Sequence, residues 1–574
     1  MNLDELIIPP LDKAPSEVAQ EIAEALKAPL WIVQLLWQRG CKSVEQAQEF
    51  LDGPQTSICS PWLLKGMEDA VEVLLRYREN GKDICIFGDY DLDGISGAAL
   101  LVLALRRAGG WRLNYRLPSR FDGGYGLGVP QLQEMAAAGI RCLVLVDTGI
   151  TATAEIAKAK ELGLDVIIVD HHRPPDDGMP PADAILDPWQ EGCTYPNKDL
   201  SAVGVALKFA TALYERIDLG GADDFLDLVT LGTLSDMMPM GLENRQMLRR
   251  ALARMNLSVF PGVRVLCEDV VDSEGYLGSQ DILFRIAPLM NAPGRLARPD
   301  TALEMLLSPD LPTARRTLEK LRTDNEKRRA VELEVTKIAM QQAEERVRNA
   351  KVLVVDGINW HLGVLGIVAS KLTQQFGRPA AVVSVSTEGI ASGSVRGVAG
   401  FNWHQALSDA RDSFDRWGGH QNAAGFSLKA ELIPHIRESF EASALQQGYE
   451  PGVASPILEV HAEVRLTEMN QAAMEWLRRL EPYGRGNAQP IFVARKVLLP
   501  SGVREVRGGH LQFEVMQEEG VRYGAIGFGF AHATEWLRAH GQEGVDLAFA
   551  PTWNSYKGRR VLQLQVKYLA RSSV

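Results

Sequence analysis

Asp89, Asp91 and Asp93 occupy every second position of the segment GDYDLDG. In an extended backbone, residues two apart point to one side, and Gly94 allows a tight turn toward a ligand. Three carboxylates converging there would repel one another unless a cation neutralised them. Asp147 in VDTG, Asp236 in TLSDMMP and the pair His171-His172 extend the set to five carboxylates and two imidazoles. Mixed oxygen and nitrogen donors suit manganese or magnesium, and their number suits two ions. Two such ions can activate water and clamp the attacking and leaving oxygens of a phosphodiester. Neighbouring residues in extended backbone point to opposite sides, so one of His171 and His172 is expected to ligate. The other is expected to meet a metal or the scissile phosphate. Taken singly, each carboxylate reads as a cap or a surface charge; the ordered set favours a site.

The elements that must position these groups are short apolar runs. Ile84–Phe87 precedes the aspartate triplet, Cys142–Val146 precedes Asp147, and Val166–Val169 precedes Asp170. They read as buried parallel strands. Helical segments Gly97 to Ala108 and Thr153 to Leu162 lie between them, so the order is βαβαβ. Ligand sites of open α/β sheets form beyond the carboxyl ends of the strands, where each cluster falls. Asp236 follows a further apolar segment, LVTLGTLS, and is grouped with the strand-end residues.

The predicted organisation is an N-terminal helical cap segment (1–55), a parallel-sheet α/β domain (56–310), a long connecting helix (311–350), a second α/β domain (351–450) and a C-terminal all-β domain of OB type (451–574). The connecting helix carries Val331, Val335 and Ile338 at helical spacing and many solvated charges. Strands KVLVVD and AAVVSV and the glycine-rich segments GIASGSVRG and GGHQNAAGF mark the second unit. Short alternating strands such as HLQFEVM and VLQLQVKYL mark the third. Barrels of that type present basic and aromatic side chains to single strands, with Tyr483, Arg485, Phe492, His510 and Phe513 as candidates.

Composition bounds these readings. A chain of 574 residues, 46% hydrophobic and 23% charged, is ordinary globular usage spread over several domains. The net charge of −12 argues against a protein that simply coats nucleic acid, yet allows basic residues confined to a groove. The start MNLDELIIPPLDKAP lacks the basic, apolar pattern of an export signal, and no apolar run is long enough to span a membrane. Six scattered cysteines without a CxxC pair fit a reducing cytoplasm, the expected location.

GDYDLDG, VDTG with Asp147, the triplet Asp170-His171-His172 and TLSDMMP resemble, in order, the four motifs of the DHH phosphoesterase superfamily. Within it the chain resembles the RecJ exonucleases almost end to end, through LLWQRGCKSVEQAQEFL, LENR at 242–245, APLMNAPGR, and EPYGRGNAQPIF. WHLGVLGIVASKL and GGHQNAAGF resemble the DHH-associated domain. The resemblance implies metal-ligand roles for Asp89, Asp91, Asp93, Asp147, His171 and Asp236, with His172 at the metals or the phosphate. It makes Asp170 an orienting partner of a histidine. Arg120, Arg295, Ser394 and Arg396 match phosphate-binding positions, Gly393 would let the backbone come close, and His420 in GGH would abut that pocket. Two positions depart from the pattern. Phe87 stands where many relatives have a histidine, so Asp89 would supply the missing donor, and GSVRG stands where GSGRS is expected.

The implied activity is metal-dependent 5′→3′ hydrolysis of single-stranded DNA to mononucleotides in recombination and repair. The chain is expected to act as a monomer, with single-strand-binding protein and a helicase supplying the strand. One alternative is a DHH phosphodiesterase on short oligonucleotides, dinucleotides, cyclic dinucleotides or pyrophosphate, which would not need the C-terminal β domain. Another is a non-catalytic DNA-binding scaffold, against which the full set of acidic residues argues.

Overall fold

A computed structural model describes residues 12–53, 58–119, 126–176, 178–271, 276–451, 458–517, 520–556 and 559–572. The first sheet comprises β1 (Asp83–Gly88), β2 (Arg112–Arg116), β3 (Ile140–Val146), β4 (Asp165–Val169) and β5 (Ala184–Leu186). All are parallel, in the order β2-β1-β3-β4-β5. Alternate residues feed two cores. Ile84, Ile86, Val144, Val146, Ile167 and Val169 pack on one face, and Cys85, Phe87, Leu143, Leu145, Val166 and Ile168 on the other. Burial on both faces is why these runs are apolar throughout rather than alternating. The edge strand β2, mostly exposed, lacks that signature and escapes the sequence reading.

Helix Leu311–Arg346 starts where Asp310 Oδ1 accepts a hydrogen bond from Thr313 N at 2.7 Å. Its 36 residues would span about 54 Å. Ala314, Leu318 and Leu321 lie in the first core, whereas Val335, Ala339 and Ala343 lie in a core of the second module. Of the three apolar positions singled out by spacing, Val335 is buried, Val331 is partly buried and Ile338 faces outward.

The second sheet is mixed: β6 (Leu353–Ile358), β7 (Ala380–Val385), β8 (Ile390–Arg396), β9 (Arg416–His420) and β10 (Ala423–Lys429), ordered β6-β7-β8-β10-β9. The third has seven strands: β11 (Ala462–Glu463), β12 (Phe492–Val497), β13 (Arg504–Val506), β14 (His510–Met516), β15 (Arg522–Gly527), β16 (Val545–Tyr556) and β17 (Arg559–Arg571). Pairing is antiparallel except for β11 with β12 and β15 with β17. Helices Gln471–Arg479 and Thr534–His540 accompany these strands, so the module is strand-rich rather than purely β.

The N-terminal helices, Ser16–Leu26, Leu30–Gln38 and Val44–Asp52, differ from the expected cap on the first domain. Trp31, Ile32, Leu35, Leu36 and Leu51 share one core with Phe492, Leu547 and Phe549 of the C-terminal module. Trp31 meets Phe492 edge-on at 5.4 Å. Amphipathic periodicity shows that a helix has an apolar face; it does not say which module covers it. Among the described residues, no helix is long and apolar enough to cross a membrane.

Candidate metal centre and adjoining cleft

Asp89 leaves β1 with its N–H bonded to Val146 O at 3.1 Å, which ties the ends of β1 and β3 together. Asp91 keeps the expected extended backbone, with φ −93° and ψ 175°, but Asp93 does not. Asp91 is the N-cap of helix Leu92–Ala108, and its Oδ1 accepts from Asp93 N at 3.0 Å and Gly94 N at 3.3 Å. Asp93 lies inside that helix's first turn. Gly94 is required by packing, because a Cβ there would stand 2.5 Å from Asp89 N. Asp93 also accepts from Ala202 N at 2.7 Å and Val203 N at 3.1 Å, and so holds the start of helix Ala202–Arg216. Asp236 likewise departs from the strand-end reading. It is the C-cap of helix Leu226–Ser235, since the apolar run before it is a buried helix, which periodicity alone cannot separate from a strand.

Asp147 ends the central strand β3 with φ +63°, a left-handed conformation rare for aspartate and found at sites the surrounding fold over-determines. His171 Nε2 lies 3.2 Å from Asp147 Oδ1, 3.7 Å from Asp236 Oδ2 and 3.8 Å from Asp93 Oδ2. His172 Nδ1 lies 2.7 Å from Asp170 Oδ1 and 3.9 Å from Asp147 Oδ1. Asp170 is fully buried and also accepts from the N–H groups of His171 at 2.8 Å and Ile150 at 3.1 Å. Three overlapping groups have ligand atoms within 4.8 Å of one another: Asp89, Asp91 and Asp147; Asp147, His171 and His172; and Asp93, His171 and Asp236. Asp147 belongs to two of them, as a residue bridging two cations would.

The electrostatics fit bound cations. Burial, then neighbouring carboxylates, pushes Asp93 and Asp147 well above the usual carboxylate range and Asp236 up to about 7. Burial lowers His171 to about 4. His172 would be lowered by burial too, but Asp170 outweighs it and raises His172 to about 9. Burial likewise opposes the charge of Asp170, yet the His172 contact prevails and holds it at about 2. Among the described residues, Asp147 Oδ1 and His171 Nε2 are buried without a hydrogen-bond partner. Buried acceptors so close together and so poorly satisfied are suited to a divalent ion that takes carboxylate and imidazole donors.

The expected phosphate-binding residues other than Arg120 form a neighbouring group; Arg120 lies outside the described residues. Helix Ala292–Leu296 carries Arg295, and Gly294 before it packs so closely on Tyr90 that a Cβ would stand 2.9 Å from Tyr90 O. Arg295 Nη1 donates to Gly363 O at 3.4 Å. A Cβ on Gly363 would stand 1.7 Å from Arg295 O, and one on Gly366 would stand 2.7 Å from Arg396 Nη2 and 3.2 Å from Ser394 Oγ. The first turn of helix Leu362–Phe376 thus seats Arg295, Ser394 and Arg396 around two glycines, with Tyr90 linking them to the aspartates. His420 is exposed on β9, and it and Arg396 both pair with Ala423 from either side of β10. Their Cα atoms are therefore about 10 Å apart. Gly393 does not offer its backbone to a ligand as expected: a Cβ there would collide with the Phe426 ring, at 2.2 Å.

Among the proposed base contacts, Tyr483 is corrected. It is 4% exposed and its hydroxyl donates to Leu477 O at 2.5 Å, so the ring is core. Phe492 and Phe513 are buried in the same core. Arg485 is exposed, on a turn whose carbonyl accepts from Met240 N at 2.8 Å, four residues beyond Asp236. His510 accepts from Gly529 N at 3.0 Å and lies edge-on to Phe528, away on β14.

Sequence reasoning missed Asp187, fully buried just beyond β5 and pushed up by burial to about 8. Its signal was the same as for the others, an apolar run ending in aspartate, but AIL is too short to stand out. Asn244 enters the sequence reading only as part of LENR, with no role; its Nδ2 donates to Asp199 O at 2.7 Å and Pro239 O at 2.9 Å. Asn244 thereby clamps the loop that follows Asp236 to the approach to helix Ala202–Arg216.

A parallel sheet with acidic and histidine residues gathered beyond its strand ends, followed by a second α/β module, defines a phosphoesterase of the DHH class. Residues 83–233 match the DHH family, N-terminal domain, residues 349–445 the DHHA1 domain and residues 460–568 the RecJ OB domain. The chain belongs to the RecJ family. It is 31% identical to the single-stranded-DNA-specific exonuclease RecJ of Bacillus subtilis, over 98% of this chain and 70% of that protein. With the Escherichia coli protein of the same name it shares 30% identity, over 95% of this chain and 97% of the relative. The crystal structure of RecJ in complex with Mn2+ from Thermus thermophilus superposes with a TM-score of 0.80 at 29% identity, covering 99% of this chain and 79% of that one.

Proposed function

We propose that this chain hydrolyses single-stranded DNA from its 5′ end, releasing mononucleotides, with two divalent ions, manganese or magnesium, at the first sheet. The observation that carries the reading is the adjacency of two sites. Tyr90, between Asp89 and Asp91, packs on Gly294, and Arg295 packs on the helix that seats Ser394 and Arg396. Asp89, Asp91, Asp93, Asp147, His171 and Asp236 would hold the ions. Bound there, they would supply an activated water and stabilise charge on the departing oxygen. Asp170 fixes the His172 ring through Nδ1, leaving Nε2 to face a metal or the scissile phosphate. Arg295, Ser394 and Arg396 bind the terminal phosphate by charge-assisted hydrogen bonds, which sets where the strand stops and which bond is cut. Arg120 is proposed as a further phosphate ligand.

The division of labour follows the domain ranges given above, except that the N-terminal helices pack with the C-terminal module, which holds the strand. We further propose a monomer acting in the cytoplasm on strands exposed by a helicase and covered by single-strand-binding protein, in recombination and repair.

The test is digestion of 5′- and 3′-end-labelled single strands with manganese or magnesium, beside duplex and RNA controls. Release of 5′-labelled mononucleotide at the earliest times is expected; first release from the 3′ end overturns the polarity. A terminal monoester carries more negative charge than an internal diester. Arg396→Ala should therefore slow cleavage of a 5′-phosphorylated strand more than that of a 5′-hydroxyl strand. Equal slowing of both would remove the terminal-phosphate role.

A further inference from the structure

A cavity of about 540 Å³ opens on the first module, where the edge strand β2, the end of helix Leu92–Ala108 and the start of helix Leu311–Arg346 meet. It lies apart from the metal centre: Arg106 in its wall is about 20 Å along helix Leu92–Ala108 from Asp93. Thr313, Arg316, Thr317 and Lys320 recur at the spacing of one helix face and form one side. Arg106 and Tyr115 also line it, with Arg106 Cζ 5.7 Å from the centroid of a tyrosine that is 42% exposed. The hydroxyl hydrogens of the lining are committed to helix carbonyls, Ser308 Oγ to Glu304 O at 2.9 Å and Thr317 Oγ1 to Thr313 O at 3.1 Å. The cationic groups are not. Arg316 Nη2 donates to Thr313 Oγ1 at 2.9 Å, and among the described residues neither Arg106 nor Arg316 forms an ion pair. Lys320 Nζ is 3.8 Å from Glu304 Oε2, both well exposed. Asp310, which feels the Arg316 charge, is held at the helix start by Thr313 N at 2.7 Å. Three cations thus face the cavity with Glu304 as the one carboxylate of its lining, on a chain whose net charge is −12.

We propose that this cavity is a separate binding site for a free nucleoside 5′-monophosphate. A phosphomonoester dianion is the ligand that two unpaired guanidinium groups and an ammonium group recognise best, through charge-assisted hydrogen bonds. The exposed Tyr115 ring, with Leu307 and Pro309 beside it, offers a face to a flat base. The volume falls within the range of small-ligand sites, about 300–1,000 Å³. The identity of the ligand rests on the proposed nuclease reading, since a mononucleotide is what that reaction releases. Helix Leu92–Ala108 carries Asp93 in its first turn and Arg106 in its last, so one rigid element joins the two sites.

The test is calorimetric titration of the full chain with thymidine 5′-monophosphate. The wild type should bind two equivalents, one at Arg396 and one in this cavity. Arg106→Ala and Arg316→Ala should each weaken the cavity site at least about tenfold and leave the other in place. Arg396→Ala should do the reverse, and the Arg106→Ala, Arg396→Ala double variant should lose both. Tyr115→Phe should keep the cavity site, whereas Tyr115→Ala should bind thymidine 5′-monophosphate no better than ribose 5-phosphate. At low product the initial cleavage rate of Arg106→Ala should match the wild type. A single wild-type equivalent that Arg396→Ala removes would overturn the proposal. Inorganic phosphate binding in the cavity as tightly as the nucleotide would also overturn it, leaving an anion site only. So would capture there of a 5′-phosphorylated oligothymidylate or an oligoglutamate peptide where the free nucleotide fails. A wild-type chain that cleaves no strand while the Arg106-dependent equivalent persists would overturn the nuclease reading alone.

Discussion

Asp170 Oδ1 lies 2.7 Å from His172 Nδ1, and the same oxygen accepts the His171 backbone N–H. One buried carboxylate thus sets both the ring orientation of His172 and the turn that delivers His171. Loss of an orienting carboxylate behind a metal-site histidine costs about 10- to 100-fold in metal affinity or activity. Asp170→Ala is expected to weaken manganese binding by that amount, read by calorimetric titration. Unchanged affinity and rate would reduce Asp170 to a turn-forming residue.

Asp147 Oδ1 and His171 Nε2, 3.2 Å apart, have no hydrogen bond among the described residues, and Asp147 sits in two of the three candidate ligand groups. Asp147→Ala is expected to abolish cleavage. The variant should also lose the rise in melting temperature that manganese gives the wild type, because ligand binding to the native state is stabilising. Removing metal with a chelator should bring the wild type down to the variant's behaviour. Most of the wild-type rate persisting at saturating manganese would eliminate the bridging role.

Arg245, 2% exposed, donates to Phe50 O at 3.1 Å, Leu480 O at 2.8 Å and Arg479 O at 3.1 Å, with its guanidinium 3.9 Å from the Phe50 ring centroid. It joins the N-terminal helices and the C-terminal module to helix Leu242–Leu252 of the first. Arg245→Ala leaves three carbonyls without their donor, at about 1–3 kcal/mol each where water cannot replace it. A loss of at least about 3 kcal/mol in denaturant unfolding is expected. The three N–H donors of a lysine leave one nitrogen and cannot span the carbonyls that Arg245 reaches from Nε, Nη1 and Nη2, so Arg245→Lys should recover little. A near-neutral alanine variant would show that the core shared by the N-terminal helices and the C-terminal module holds the assembly without it.

Glu243 is 5% exposed and paired with Lys208 at 2.8 Å. Burial works to raise its carboxyl, but the Lys208 charge and the Lys208, Tyr195 and Cys59 hydrogen bonds hold it below the ordinary value. A folded value below the unfolded one, about 4.3, gives stability that is present above that pH and lost as pH falls through the lower folded value. Lys208→Met should destabilise the fold by about 3 kcal/mol at neutral pH, since it strands a buried carboxylate. It should also flatten the acid limb of the stability curve. A parallel acid limb in wild type and variant would show that other carboxylates govern it.

The strands β1, β3 and β4 were legible because burial on both faces demands uninterrupted apolar residues, and their terminal aspartates and histidines mark where a parallel sheet opens to a ligand. The long helix was legible from its charge and periodicity. Residue types alone also carried the chemistry of the candidate site, since no ordinary core tolerates so many adjacent carboxylates. Tertiary structure decided the rest. Asp91 and Asp93 converge with Asp147 through a helix start rather than an extended strand, because the chain turns at Asp91 and Asp93 is captured by the N–H groups of Ala202 and Val203. Arg295, Ser394 and Arg396 meet only because Gly363 and Gly366 leave room for them, a contact between segments too far apart in sequence for local pattern to reveal. Tyr483 reads as a candidate base contact and is buried, and the N-terminal helices read as a cap and join the C-terminal core. A residue's chemistry and a helix's apolar stripe are local properties, whereas the surface that covers them is fixed by packing between distant segments.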